Sequence, residues 1–474
     1  MTRSQQIVKL RQYLKYQVIP FSKFYREAFA KNSLTAGDIQ TWDDLRKIPF
    51  SSKADLVSTP ENPRRSLDFV IVPDEAELKR RLSTVRFALL HGRVAAKAAL
   101  ESEYRPIFMT STTGRSAEPV PFMYSQHDIE NLCKSGRQMV EVIGARKDDR
   151  VINMFPFAPH LAFWQTHYAT ISYPVFCLSS GGGKVMGTEG NIRLMAKINP
   201  TCLIAMPTFL YHLLRQALDE GVRCDKIRLI VLGGEKVPSG MREKLRSLVA
   251  QLGSPDAAVL ATYGFTEAKM AWPECASRDG SPTGYHIVPE LGIVEIVHPD
   301  TGEPQPDGTG GEIVFTALDA RGTAVIRYRT GDCIDGGITY APCPHCGRNV
   351  PRLVGNISRA SNVLAMSFDK LKGTIVDFNE LEHLLDGLRE IGAWQLEIRK
   401  LHDDPLDVDE LILHTEKRNG GTDEDICDHV NEAFSAATEL RLNKICFHTA
   451  AEMRKLHGVG HEIKEKRVVD HRPK

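Results

Sequence analysis

The chain has 474 residues, and its 60 Lys and Arg balance 60 Asp and Glu to a formal net charge of zero. That length exceeds what one hydrophobic core organises, so two or more domains are expected. The balanced charge excludes a broad electrostatic footprint for nucleic acid or an anionic membrane, and favours a small molecule or a single protein as partner.

Residues 1–23 mix charges with scattered apolar residues and contain no continuous apolar stretch, which argues against a signal peptide or a spanning helix. The expected location is the cytoplasm. Residues 1 to about 105 are rich in Leu, Lys, Arg and Glu with helical spacing in places, and read as a mostly helical N-terminal segment without recognisable chemistry. From about 105 to 290, short apolar runs alternate with amphipathic stretches. The runs 202–206 and 229–232 predict buried strands. After the second, Gly233 and Gly234 make a loop, and Ser239 is expected to cap a helix whose Met241, Leu245, Leu248 and Val249 share one face. Strand, glycine loop and helix form an α/β unit.

From about 290 to 358 the period changes to two, which predicts strands at 293–297, 312–315 and 325–328 with a turn at Asp300-Thr301-Gly302. Residues 359–474 carry strand patterns at 394–399, 411–414 and 444–447. Between the last two, Ile426, Val430 and Phe434 fall in helical register behind Thr422 as a cap. The expected fold class is α/β. A large N-terminal domain of several subdomains (1–358) precedes a small α+β C-terminal domain (359–474).

Three polar strings carry the chemistry: Thr110-Ser111-Thr112-Thr113-Gly114, Tyr263-Gly264-Phe265-Thr266-Glu267 and Tyr328-Arg329-Thr330-Gly331-Asp332. The first groups hydroxyls and a flexible glycine where a loop could wrap phosphate oxygens. The second ends in an acid that can hold a divalent metal, and the third in an acid suited to ribose hydroxyls. Taken singly, the first reads equally as a surface turn and the second as a strand-end turn with a solvated glutamate. Gly181-Gly182-Gly183-Lys184 is followed by Val185 and lacks the phosphate-loop spacing, so it is no Walker motif.

The ten cysteines show no disulfide-scaffold spacing, and most are expected as reduced thiols. Cys343 and Cys346 form a CxxC in a turn rich in proline and glycine, a zinc-knuckle half site. Cys275 and His286 flank a polar loop and could complete a Cys₃His set; two free thiols in a turn is the plain alternative.

In order and spacing the strings resemble the adenylate-forming enzymes, the superfamily of acyl-CoA synthetases, luciferases and peptide-synthetase adenylation domains, most closely the phenylacetate-CoA ligase branch. The resemblance spans most of the chain and extends to Gly233-Gly234-Glu235, the segment 343–348, the run 373–382 and the tail 463–470. It implies ATP-dependent activation of a carboxylic acid to an acyl-adenylate and transfer to coenzyme A, with Mg²⁺ as cofactor and a structural Zn²⁺ on the four residues above. It places Thr110 to Gly114 on the phosphates, and Tyr263, Gly264, Gly234 and Glu235 on the adenine side. Thr266 falls on a phosphate oxygen, Glu267 on Mg²⁺, Asp332 on the ribose hydroxyls and Arg359 on the ribose or α-phosphate.

Lys464 takes the place of the catalytic lysine beside Thr266 and Glu267, with Lys466 as its rival. Phe155, Phe157 and His160 fall where the superfamily lines its acyl pocket, which suits an aryl or heteroaryl acid, although such a cluster is also ordinary core. The chain departs from the family at Ser111, where glycine is usual, at Glu118, often lysine, and at Ala360-Ser361-Asn362, where hinge aspartates are usual. The small domain is expected to rotate about a hinge near Ser361, and Glu382 matches the acid at the start of that domain. Two other readings stay open: transfer to a carrier-protein thiol or an amine, and a binding or scaffold protein without turnover. A homodimer is compatible with all three.

Overall fold

The computed structural model describes residues 1–112, 119–277, 279–359, 370–371, 374–375, 378–400, 409–418, 421–438, 440–460 and 465–472. These form two compact units. Unit 1 comprises Met1–Lys147, Ala158–Val175 and Thr262–Ile357; unit 2 comprises Asp148–Phe157, Phe176–Ala261 and Ser358–Lys474. No helix among the described residues is long and apolar enough to cross a membrane.

Unit 1 begins with the helices Arg3–Tyr13, Lys23–Lys31, Glu75–Arg80, Leu82–His91 and Arg93–Tyr104. The first is set by a capping box in which the Thr2 hydroxyl accepts the Gln5 N–H and the Gln5 side chain accepts the Thr2 N–H. Its Ile7, Leu10 and Tyr13 share a face and join Tyr25, Phe29 and Phe69 in the unit's core. Helix Gln126–Val142 packs on helix Leu161–Ser172 at Gly136, where a Cβ would lie 2.7 Å from the Ala169 Cα. Only a glycine lets the two backbones approach so closely.

The antiparallel sheet of unit 1 pairs Gly292–Val297 with Gly311–Ala317, and the latter with Tyr328–Ile334. Its third strand starts where the apolar run 325–328 ends. Arg327 has φ of 48°, outside the extended region, so the strand cannot begin before it. Ala324, Val325 and Ile326 are buried as irregular chain instead. The Arg327 guanidinium is held by the carbonyls of Arg46 (3.1 Å) and Ile48 (3.0 Å) and by Glu295 (3.3 Å).

Unit 2 is built on a parallel sheet in the order Phe176–Ser179, Arg150–Asn153, Cys202–Ala205, Leu229–Leu232 and Ala258–Phe265, the last strand continuing into unit 1. The two central strands are buried at every position, as their unbroken apolar sequences require. Helix Ser239–Gln251 buries Met241, Leu245, Leu248 and Val249, but Pro238 is its N-cap and Ser239 its first residue, so Ser239 does not cap it. Proline before the first turn fixes the chain direction without a side-chain acceptor.

The C-terminal part of unit 2 is a four-stranded sheet in the order Lys444–His448, Asp409–Lys417, Ile391–Lys400 and Val468–Asp470, covered by helices Phe378–Gly387, Asp423–Thr438 and Ala450–His457. Thr422 caps the second helix through the Asp425 N–H at 3.1 Å. This lobe packs on the helices of the parallel sheet. Glu416 accepts from Tyr211 at 3.0 Å and Arg215 at 2.8 Å, and Lys244 donates to the Gly392 carbonyl at 3.0 Å.

Candidate active site

In unit 1 the second and third strings are bonded reciprocally. The Tyr263 hydroxyl donates to Asp332 Oδ2 at 2.9 Å, and the Tyr328 hydroxyl donates to Glu267 Oε1 at 2.9 Å. Each string's tyrosine therefore holds the other string's acid. The geometry has local causes. Glu267 sits in the 3₁₀ turn Thr266–Ala268 at the end of strand Ala258–Phe265, and Lys269 closes that turn in the left-handed conformation. Gly264 lets strand Met270–Pro273 approach, since a Cβ there would meet Ala271 Cβ at 2.6 Å. Asp332 lies beside a register shift opposite Glu312, with Gly331 at φ 72° and its N–H given to Glu312 at 3.1 Å.

Tyr124 connects the first string to this pair. Thr110 is fully buried on strand Phe108–Ser111, and its hydroxyl donates to the Tyr124 hydroxyl at 3.1 Å. The Lys269 ammonium lies 4.5 Å from the centre of the Tyr124 ring and donates to the Met123 carbonyl at 2.7 Å. It also pairs with Asp128 at 3.3 Å. Burial lowers the Lys269 pKa and raises that of Tyr124, while the carboxylate of Asp128 opposes the first shift. Ser111 gives its N–H to the Pro159 carbonyl at 2.6 Å, and its own carbonyl lies 3.0 Å from His160 Nδ1. The Thr112 hydroxyl accepts the Val120 N–H at 3.0 Å. Thr113, Gly114 and Glu118 lie outside the described residues.

Unit 2 holds other candidates. Gly234 follows strand Leu229–Leu232 with φ of 82°, a turn that favours glycine. Glu235 accepts from the Thr208 hydroxyl at 2.9 Å. Lys236 reaches Glu382 at 3.6 Å. Phe155 is buried, whereas Phe157 is half exposed and covers Gly181, where a Cβ would come within 2.3 Å of its ring. His160 belongs to unit 1. Arg359 ends the strand Ile357–Arg359. Lys464 and 360–362 lie outside the described residues; Lys466 precedes the final strand.

The four proposed zinc ligands come together in unit 1, with their donor atoms within 4.8 Å of one another. Cys275 Sγ is 3.7 Å from Cys343 Sγ, and Cys346 Sγ is 3.3 Å from His286 Nε2. His286 Nδ1 donates to the Pro273 carbonyl at 3.2 Å, which leaves Nε2 as the lone pair facing the thiols. Gly347, at φ 73°, donates to the Cys343 carbonyl at 2.8 Å and closes the knuckle. Burial pushes the Cys275 thiol up to about 12 and the His286 imidazole down to about 4. Burial also acts to raise Cys343, but the backbone N–H groups of Cys346 and His345 bring it below its ordinary value.

Sequence reasoning did not find Tyr124 or Lys269, or the pairing role of Tyr328. The two strings hinted at the last, since each begins with tyrosine and ends with an acid. Tyr124 carried no signal, because it reads as an ordinary strand aromatic.

A family model described as AMP-binding enzyme matches residues 57–318. Among curated relatives, the phenylacetate-coenzyme A ligase of Pseudomonas putida is 26% identical over 338 residues, covering 70% of this chain and 65% of the relative. That of Escherichia coli (strain K12) is 24% identical over 405 residues, covering 83% and 78%. Among solved structures, 2-hydroxyisobutyryl-CoA ligase in the postadenylation state, in complex with R3-HIB-AMP, has a TM-score of 0.75 at 17% identity over 99% of this chain and 90% of that one. The same enzyme in the thioesterification state, with 2-HIB-AMP and CoA, has a TM-score of 0.62 at 17% identity over 99% and 89%.

Proposed function

The chain belongs to the AMP-binding enzyme family, and on that premise we propose that it is an AMP-forming carboxylate–CoA ligase. It would use ATP to convert a carboxylic acid, aryl or heteroaryl, to its acyl-adenylate and then pass the acyl group to the thiol of coenzyme A. The observation that carries this reading is the convergence in unit 1: Thr110 reaches Tyr124, Lys269 of the Glu267 turn covers Tyr124, and the second and third strings exchange tyrosine-to-acid bonds. Three strings far apart in sequence would have no reason to converge if each were an ordinary turn.

In this reading Asp332, its position fixed by Tyr263, accepts the ribose hydroxyls, and Tyr263 offers its ring to the adenine. Gly234 and Glu235 serve the adenine side, Arg359 the ribose or α-phosphate, and Thr266 with Thr110 to Gly114 the phosphates. Glu267 is the residue that would hold Mg²⁺. A carboxylate can accept the Tyr328 bond and still ligate an ion, and magnesium asks for one or two carboxylates with phosphate oxygens and water. The ion supplies neutralisation of phosphate charge. Lys464 brings a cation to the α-phosphate as the carboxylate attacks in line and pyrophosphate leaves. Residues 359–474 then rotate about the segment near Ser361 and admit the thiol.

Zn²⁺ on Cys275, His286, Cys343 and Cys346 is the second part of the proposal. Three thiol donors and one imidazole with its other nitrogen tied to a carbonyl are the donor set of a closed structural zinc site. Its role is to join strand Tyr285–His286 to the knuckle.

Incubation with ATP, Mg²⁺, coenzyme A and a panel of aryl acids, read by mass spectrometry, tests the overall reaction. The expected products are AMP and one acyl-CoA in equal amounts. AMP formed without a thioester would place the acyl acceptor elsewhere.

A further inference from the structure

A second group of metal-ligating side chains lies within unit 2. His212 comes from helix Pro207–Asp219, His457 ends helix Ala450–His457, and Glu465 stands just before the final strand. All three are buried, and one donor atom of each lies within 4.8 Å of the others. His212 Nε2 is 3.1 Å from His457 Nδ1. On its far side, His457 Nε2 donates to the Trp394 carbonyl at 2.9 Å, so its Nδ1 presents a lone pair to His212. That outer bond is the one that orients a metal-bound imidazole. Without a cation His212 Nε2–H donates to His457 Nδ1, and Glu465 Oε2 has no hydrogen-bond partner among the described residues. An orphaned carboxylate oxygen at such depth is unfavourable unless something positive meets it.

We propose that His212, His457 and Glu465 form a divalent-metal site separate from the cysteine cluster. Two imidazoles and one carboxylate select zinc-like ions over magnesium or calcium, which prefer all-oxygen ligands. A bound ion takes the facing lone pairs of the two rings and balances the Glu465 carboxylate. Without the ion, burial and the neighbouring Glu235 raise the pKa of this carboxyl well above its ordinary value, and Arg467 and the Thr208 hydroxyl only oppose that shift. Two of the ligands, His457 and Glu465, flank residues 458–464, so the ion would tie both ends of that segment to helix Pro207–Asp219. The site stands on these side chains alone and does not depend on the ligase reading.

The test uses the full chain, stripped by a chelator and then dialysed against Zn²⁺, with metal content measured by mass spectrometry. The wild type should hold two ions per chain, and His457→Asn and Glu465→Gln one each. With Co²⁺, the thiolate-to-metal charge-transfer bands of the cysteine site should stay unchanged in both variants while the weaker visible bands fall. Matching circular dichroism of the metal-free proteins excludes unfolding as the cause, and His212→Gln gives an independent third variant. Metal content in the variants equal to the wild type would overturn the site. So would a wild type that takes up one ion showing only the thiolate signature. One ion without that signature, lost in His457→Asn, would support this site and remove the cysteine one.

Discussion

The Tyr263 hydroxyl donates to Asp332 Oδ2 at 2.9 Å across 69 residues of sequence, and so fixes the acid proposed to bind ribose. Asp332→Asn keeps the shape and removes the charge. Hydrogen bonds to a charged group contribute about 1.5–3 kcal/mol, so the KM for ATP should rise tenfold or more with little change in that for the acid. Tyr263→Phe keeps the ring, removes the orienting bond and should raise the same KM several-fold. Steady-state kinetics in each substrate checks both, and an unchanged KM for ATP in Asp332→Asn would remove Asp332 from the nucleotide site.

Gly240 lies in the first turn of helix Ser239–Gln251, where a Cβ would stand 2.1 Å from the Asp386 carbonyl oxygen. Helix propensity alone makes Gly→Ala stabilising by about 1 kcal/mol. The contact reverses the sign, because helix Phe378–Gly387 must move, and Gly240→Ala should destabilise by about 1–3 kcal/mol. Chemical denaturation reads the sign directly.

Lys244 donates to the Gly392 carbonyl at 3.0 Å, and burial lowers its pKa from 10.5 to about 8 despite the nearby Asp386. Between these two values the unfolded chain holds a proton that the folded chain has released. Stability attributable to Lys244 therefore rises with pH across that window, by about 3 kcal/mol in full. Below pH 8 both states are charged and the term is flat. The difference in unfolding free energy between wild type and Lys244→Met, followed from pH 7 to 10.5, should change in the wild type's favour. A pH-independent difference would mean that Lys244 keeps its proton in the fold.

Cys343→Ser should remove one zinc ion and lower the melting temperature, as should prolonged chelation of the wild type, since a bound ion stabilises only the folded state. The accompanying loss of Co²⁺–thiolate bands separates this site from the one at His212. Full zinc content in Cys343→Ser would show that Cys343 is not a ligand.

Patterns of contiguous residues were legible in the sequence: the buried strands, the helix carrying Ile426, Val430 and Phe434, and the ordered strings. The four cysteine-cluster ligands were also legible across long separations, because a CxxC half site calls for two more donors. What was hidden depends on tertiary partners. The third antiparallel strand starts later than the apolar run because Arg327 has a left-handed φ, and nothing local in the sequence shows this or the two distant carbonyls that bond its guanidinium. The strand Val468–Asp470 was missed because its partner is Ile391–Lys400, and a short parallel edge has no pattern of its own. Asp386 has no signal in the sequence, yet it is buried and accepts from Arg467 and Trp394 at 2.6–2.9 Å. His212 and His457, 245 residues apart, sit in amphipathic helices where a histidine draws no notice.

Adenylation by this chain is read out by ATP–pyrophosphate exchange. Purified wild type and Lys464→Ala would be assayed with Mg²⁺ and a panel of aryl, heteroaryl and aliphatic carboxylic acids. Exchange should depend on an aromatic acid and on Mg²⁺ and fall about a hundredfold or more in the variant, as expected when a cation aimed at developing charge is removed. Absence of exchange with every acid, together with no ATP binding by calorimetry, would contradict adenylation.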